Sequence, residues 1–162
     1  MKITINGIDF AIKLKASYKI GAIVLSKRGY SDAWQAKMAP FDLALVWGEL
    51  LKIDLYKKIK WSQEARWYHW RYNEDFPKNN IFIAQYSSNN HIIPATKNIL
   101  NGLKNIKRGD TLELLGYLVD IDGKKNGDCF WWYSSMTTND TGDGSCEVFY
   151  VSRIRLKGKV YQ

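Results

Sequence analysis

Apolar and polar residues alternate through "KITINGIDFAIKLK" (2–15), which reads as two short strands around Asn6-Gly7, a dipeptide suited to a two-residue hairpin turn. "YKIGAIVLSKRGY" (18–30) predicts a further strand from Ile20 to Leu25, closed by Lys27-Arg28-Gly29. The period then changes. In "MAPFDLALVWGELLKIDLY" (38–56), Leu43, Val46, Trp47, Leu50 and Leu51 fall three and four apart behind Pro40, which predicts a short helix weakened or ended at Gly48. "EARWYHWRYN" (64–73) alternates in size rather than polarity. As a strand it sets Arg66, Tyr68, Trp70 and Tyr72 on one face and Trp67, His69 and Arg71 on the other.

A strand is expected at 81–86, followed by a polar loop, "SSNNH", that ends on His91. Thr96 is placed to cap a helix through Ile99, Leu100, Leu103 and Ile106, with Lys104 and Lys107 near its end, where cations suit the helix dipole. Over 111–121, Leu112, Leu114 and Leu118 share one face and Leu115, Tyr117, Val119 and Ile121 the other. Apolar residues on both faces imply a central strand covered on both sides. A last strand is expected over 146–156, with Cys146 in an apolar row with Val148, Tyr150, Ile154 and Leu156, and Glu147 sharing the other face with Phe149, Val151, Arg153 and Arg155. The pattern predicts one domain over 1–162, α+β and mainly antiparallel β, forming a small closed or half-closed barrel with two short helices.

Composition changes this picture little. Seventeen of the 162 residues are Trp or Tyr, which favours sheet. The net charge of +8 invites a polyanion partner, but its placement argues for solubility. Residues 1–60 carry eleven Lys/Arg against five Asp/Glu, and the rest is nearly neutral. A nucleic-acid partner is therefore not the favoured one. No apolar run approaches the roughly 20 residues of a membrane-spanning helix. The alternating start has no signal-peptide core, so a cytoplasmic protein is expected, with an exported or membrane-anchored one stripped of its leader as the alternative.

Two cysteines are too few for a disulfide framework. An antiparallel hairpin of 128–134 with 146–152 would set Cys146 near Tyr133 and Cys129 near Tyr150, too far apart to bridge, so free thiols are expected.

Candidate chemistry concentrates in "SSMTTNDTGDGSCEV" (134–148). Cys146 as nucleophile, His91 as base and Asp143 or Glu147 as orienting carboxylate would make a thiol enzyme. Against this, a cysteine heading an apolar row stays a protonated, buried filler. Asp140, Asp143 and Glu147 do not fit a calcium loop, because the closing carboxylate would fall on Tyr150. With two His and two Cys at no ligand spacing, neither a metal nor another cofactor is expected. The simpler account has Thr138, Asp140 and their neighbours bonding the loop's own backbone while Gly142 and Gly144 turn it. His91 likewise suits a hydrogen-bonded fixture. "RWYHWRY" (66–72) interleaves Arg66 and Arg71 with aromatics that can stack on bases or sugar rings, unless Trp67 and Trp70 simply pack the barrel.

Five blocks in order, "FDLALVWGELL", "SQEARWYHWRY", "NNHIIPAT", "RGDTLELLGYLV" and "SSMTTNDTGDGSCEVFYV", resemble an uncharacterised family of small bacterial proteins across roughly residues 18–155. The resemblance implies a shared fold and a bacterial source and does not point to any chemistry. "GDTLELLGYLVDI" is also similar to strands of oligonucleotide-binding barrels.

Three functions follow as expectations. The first is a non-enzymatic β-barrel binding module for a polar or anionic ligand (single-stranded nucleic acid, a glycan or a peptide), using Arg66, Trp67, His69, Arg71, Asn90, Thr138 and Asp140. The others are the Cys/His-dependent hydrolase or transferase and a structural or partner-docking domain. No oligomeric state follows from the sequence.

Overall fold

The longest element is a strand that the sequence breaks into pieces. In the computed structural model, which describes residues 1–31, 33–137 and 146–162, strand β1 (Lys2–Ile5) turns at Asn6 (φ 52°) and Gly7 (φ 74°) into β2, running unbroken from Ile8 to Gly29. The turn is the one Asn6-Gly7 predicted. β2 has register shifts between Leu14 and Ala16 and between Val24 and Ser26. Such bulges bend a strand, and β2 serves two partners. Asp9–Ile23 pair with β7 (Thr111–Lys125), and Ile23–Gly29 pair with β3 (Phe41–Val46).

β3 pairs with β6 (Ser87–Pro94), β6 runs parallel to β9 (Glu147–Leu156), and β9 returns antiparallel to β7. The hydrogen bonds thus close a five-strand ring, β2–β3–β6–β9–β7. β1, β8 (Asp128–Trp132) and β10 (Lys159–Tyr161) are added to its strands, and β4 (Lys60–Glu64) and β5 (Trp67–Arg71) form a separate two-stranded hairpin. Three short helices complete the described residues, α1 (Trp34–Met38), α2 (Asn80–Gln85) and α3 (Lys97–Asn105), with a 3-10 stretch over Gly48–Lys58. The α+β, mainly antiparallel class is as predicted.

The ring encloses one core. Ile20, Val24, Leu43, Leu45, Ile92, Leu114, Phe149 and Ile154 meet in it, and α3 adds Ile99 and Leu103. Thr96 caps α3 as expected, its hydroxyl accepting from Ile99 N at 3.2 Å. Two further clusters cover the outside. One gathers Phe10, Met38, Ile93, Val119 and Val148 with Trp34, Phe130 and Trp132. The other gathers Ala44, Val46, Leu50, Ile59 and Ile83 with Trp61, Tyr68 and Trp70.

Double coverage explains the first correction. Leu43 and Leu45 face the interior while Ala44 and Val46 meet the outer cluster, so "FDLALV" is a buried strand whose continuous apolar run imitated a helix. Gly48 ends it at φ +59°, where an added Cβ would lie 2.6 Å from the Tyr86 ring. Residues 81–86 were expected as a strand and form most of α2, with the Asn79 side chain accepting from Phe82 N at 2.9 Å. The polar "SSNNH", expected as a loop, is the ring strand β6, and all five residues are buried.

The hairpin expected between 128–134 and 146–152 does not form. β8 pairs with β7, leaving β9 to pair with β6 and β7. The last strand also departs from strict alternation. A register shift at Leu115/Gly116 skips Ser152, so Phe149 and Val151 share the interior with Ile154 and Leu156 instead of with Arg153 and Arg155. The central position predicted for 111–121 holds. No helix among the described residues is long and apolar enough to cross a membrane.

Candidate functional site

Asp42 of β3 and His91 of β6 are register partners. Their neighbours Leu43 and Ile92 fill the ring, so both point outward, yet both are buried. A bare carboxylate there would be strongly unfavourable, and a buried charge persists only when paired and hydrogen-bonded. The partner comes from the tip of the β4–β5 hairpin. Ala65 (φ 48°) and Arg66 (φ 73°) form a two-residue turn, and Arg66 Nη1 donates to Asp42 Oδ1 at 2.7 Å and to Ala39 O at 3.0 Å. His91 Nδ1 lies 2.9 Å from the same Asp42 oxygen, within ion-pair distance but poorly aligned for a hydrogen bond.

Aromatic rings enclose these groups. The Arg66 guanidinium lies 3.9 Å from the Tyr30 ring centre and 5.4 Å from that of Trp132. The His91 ring is 4.5 Å from Trp132. Arg66 N donates to the Tyr30 hydroxyl at 3.0 Å, and burial pushes that phenol above its ordinary pKa, so it remains neutral. The guanidinium is thereby fixed from both ends of its residue.

Beside this cluster opens a cleft of about 640 Å³. Arg66 and Trp67 enter from the hairpin tip, His91 from β6, Trp131 and Trp132 from β8, and Gln35 from α1; Tyr133 and Cys146 complete it. Trp131 is 68% exposed and Tyr133 51%, so large aromatic surface faces solvent on this side. The Tyr133 hydroxyl donates to Asp122 at 3.0 Å.

The alternation of β6 sorts the remaining polar residues. Asn89, on the outer face with His91, donates to Arg66 O at 2.8 Å, accepts from Gln63 Nε2 at 2.7 Å, and lies 3.9 Å from Cys146 Sγ. Asn90 points the opposite way, donating to Ser88 Oγ at 2.8 Å, and is the register partner of Glu147. Burial, reinforced by the charge of Glu147, holds the Tyr18 phenol well above its ordinary range.

Of the expected site residues, the structure therefore brings Arg66, Trp67, His91 and Cys146 to one cleft. Asn90 and Glu147 belong to the other face of their strands and are not in it. His69 and Arg71 lie along a separate groove on the outward face of the hairpin. Thr138, Asp140 and Asp143 lie outside the described residues. Cys146 is not the fully buried filler expected from an apolar row, being half-buried at the cleft wall; Cys129 is exposed, and neither forms a disulfide.

Sequence reasoning missed Asp42, Asn89, Trp131 and Trp132. Asp42 did leave a signal, as the one acid in "FDLALV". Among the described residues no three His, Cys, Asp or Glu side chains gather as a metal would require. No family model, curated protein or solved structure matches the chain.

Proposed function

We propose that the protein is a binding module and that the cleft beside Arg66 takes a polar ligand carrying a ring. The carrying observation is the guanidinium itself, ion-paired to buried Asp42, stacked on Tyr30, and bordered by Trp67, Trp131 and Trp132. Arg held in this way presents a fixed planar donor, and the indoles offer stacking surface to a base or sugar ring. Because Asp42 neutralises Arg66, the cleft selects for hydrogen bonding and stacking more than for negative charge.

Topology supports the placement. Counted within the ring, the strand order is 1-2-3-5-4-1, with a parallel contact between the third and fifth strands and α3 between the third and fourth. Oligonucleotide-binding folds share this order and bind ligands on strands two and three and on the loops after strands one and four. Those positions here are β3 and β6, the 30–40 connection with Gln35, and the segment after β7 with Trp131–Tyr133. Fold alone would not assign a function; the residues in the cleft carry the proposal.

Isothermal titration with a mononucleotide, a disaccharide and an aromatic dipeptide tests it. One of the three is expected to bind, and Arg66→Lys or Trp67→Ala to weaken that binding roughly tenfold, the loss of one stacked or charge-assisted contact. Binding indifferent to both substitutions, or none at all, overturns the proposal.

A second reading rests on Cys146 sharing the cleft with His91, which lies within ion-pair distance of Asp42, the outline of a thiol nucleophile beside a base. The iodoacetamide alkylation rate of a Cys129→Ser variant decides it. Thiolate formation by His91 gives labelling well below pH 8 that His91→Asn abolishes, whereas a free-thiol profile ends this reading.

A further inference from the structure

The outward face of the β4–β5 hairpin carries cations that no described carboxylate pairs with. Trp61 and Trp70 are register partners and pack inward, so Lys60 and Arg71, partners one step along, both project outward and are exposed. Side chains opposite each other on paired strands have Cβ atoms about 5 Å apart, where like charges repel. Lys58 and His69 join them along a groove of about 530 Å³ whose lining residues include no carboxylate. Among the described residues, the side chains of Lys58, Lys60 and Arg71 make no ion pair and no hydrogen bond. The neighbouring Lys57, by contrast, is neutralised by Asp54 at 2.7 Å.

This strip leads to the cleft. Trp67, His69 and Arg71 alternate onto the same face of β5, and Trp67 is also a wall of the cleft. Successive members of such a row lie about 6.6 Å apart along the strand. The carboxylate on this face, Glu64, is the register partner of Trp67 at the tip end, four residues from Lys60. One end of the row therefore offers stacking, and the other an unneutralised pair of cations.

We infer that this face is a phosphate track and that the ligand is single-stranded nucleic acid, one base entering the aromatic cleft while the backbone runs along β5 to Lys60, Arg71 and Lys58. The inference rests on the cleft reading and specifies its ligand. Aromatic stacking combined with a cationic groove is how sequence-tolerant single-strand binding is built. A duplex cannot offer its stacked bases to the cleft. A like-charge cross-strand pair is a standing cost to the hairpin that bound phosphate relieves.

The test is fluorescence anisotropy with a labelled 12-nucleotide single strand across a salt series, repeated with a duplex of the same sequence and with heparin as competitor. The wild type is expected to bind the single strand and to weaken as salt rises. Lys60→Glu is expected to bind roughly tenfold more weakly, with a salt slope lower by about one. Lys60→Glu also places a carboxylate opposite Arg71, so its thermal midpoint is expected to hold or rise. Weaker binding with undiminished stability is not what a merely structural lysine would give.

Wild-type affinity and slope in both Lys60→Glu and Arg71→Glu overturn the track. If Trp67→Ala then still abolishes binding, the cleft proposal stands without it. Sensitivity to the charge reversals with indifference to Trp67→Ala and Arg66→Lys retains the track and discards the cleft. Equal binding of duplex, full displacement by heparin at equal charge, or no binding of the single strand overturns the inference.

Discussion

Two polar stretches of this chain meet opposite fates. Ser87–His91 are five polar residues in succession, all buried and engaged with partners that include Ile83 O, Arg66 O, Gln63 and Asp42. The outward face of the β4–β5 hairpin is just as polar, but Lys60 and Arg71 are exposed, set opposite one another and, among the described residues, without a counter-charge. A buried polar group left without a partner costs stability, so most such groups are paired. Exposed groups that repel one another are tolerated without helping the fold. The first stretch is therefore structural and supports the cleft from behind, and the second is where a ligand has something to add.

Substitutions should separate the two regions by size of effect. Asp42→Ala is the most severe, because it leaves Arg66 and His91 without their shared carboxylate. About 3–5 kcal/mol of stability should be lost, measured by urea unfolding. A loss below about 1 kcal/mol would mean that the cluster is wetter than its burial implies. Asn89→Ala is next, at about 1–3 kcal/mol, since it strands Gln63 Nε2 and Arg66 O together.

Tyr68→Phe removes the hydroxyl's bond to Ser87 O at 3.2 Å and should cost about 1 kcal/mol near neutral pH. Its pH dependence has a definite sign. Burial, with a smaller contribution from Glu147, holds the Tyr68 phenol above its ordinary value of 10.0. A raised folded-state value means that the group's stabilisation is whole below about pH 10 and is lost as pH rises beyond it, because the unfolded phenol ionises first. Wild-type stability should therefore fall steeply above pH 10, and the fall should be shallower in Tyr68→Phe. Equal slopes would place the phenol in solvent. Lys60→Glu should have the smallest effect of the series on stability, a gain of a few tenths of a kcal/mol.

The same contrast shows what the sequence could reveal. Where a turn or a cap needs a particular residue, the sequence is legible, and Asn6-Gly7 and Thr96 were readable for that reason. Period alone fails where both faces are covered. Phe41–Val46 resembled a helix because Leu43 and Ala44 are equally buried, although one lies inside the ring and the other outside. It fails again where polar residues are buried against partners distant in sequence. Nothing local to "SSNNH" announces that Gln63, Arg66 and Asp42 meet it. Ser152 adds a third limit, since one skipped residue moved Ile154 and Leu156 to the face opposite the one alternation gave them.

At the site, Arg66, Trp67, His91 and Cys146 were named from residue type and do share the cleft. Trp131 and Trp132 went unnamed because an aromatic pair in a strand looks like core packing, and exposure is a property of the partner strand. His69 and Arg71 were grouped with Arg66 by sequence adjacency, but the turn at Ala65-Arg66 sends the guanidinium toward Asp42 while His69 and Arg71 line a separate groove.

The most direct measurement is two-dimensional NMR of the seven tryptophan indole N–H signals during titration with the single strand. The expected result is that Trp67, Trp131 and Trp132 shift together and saturably, while Trp47, packed against the ring interior, stays in place. Saturable shifts that leave those three unmoved, or the absence of any shift, would contradict the cleft as the ligand site.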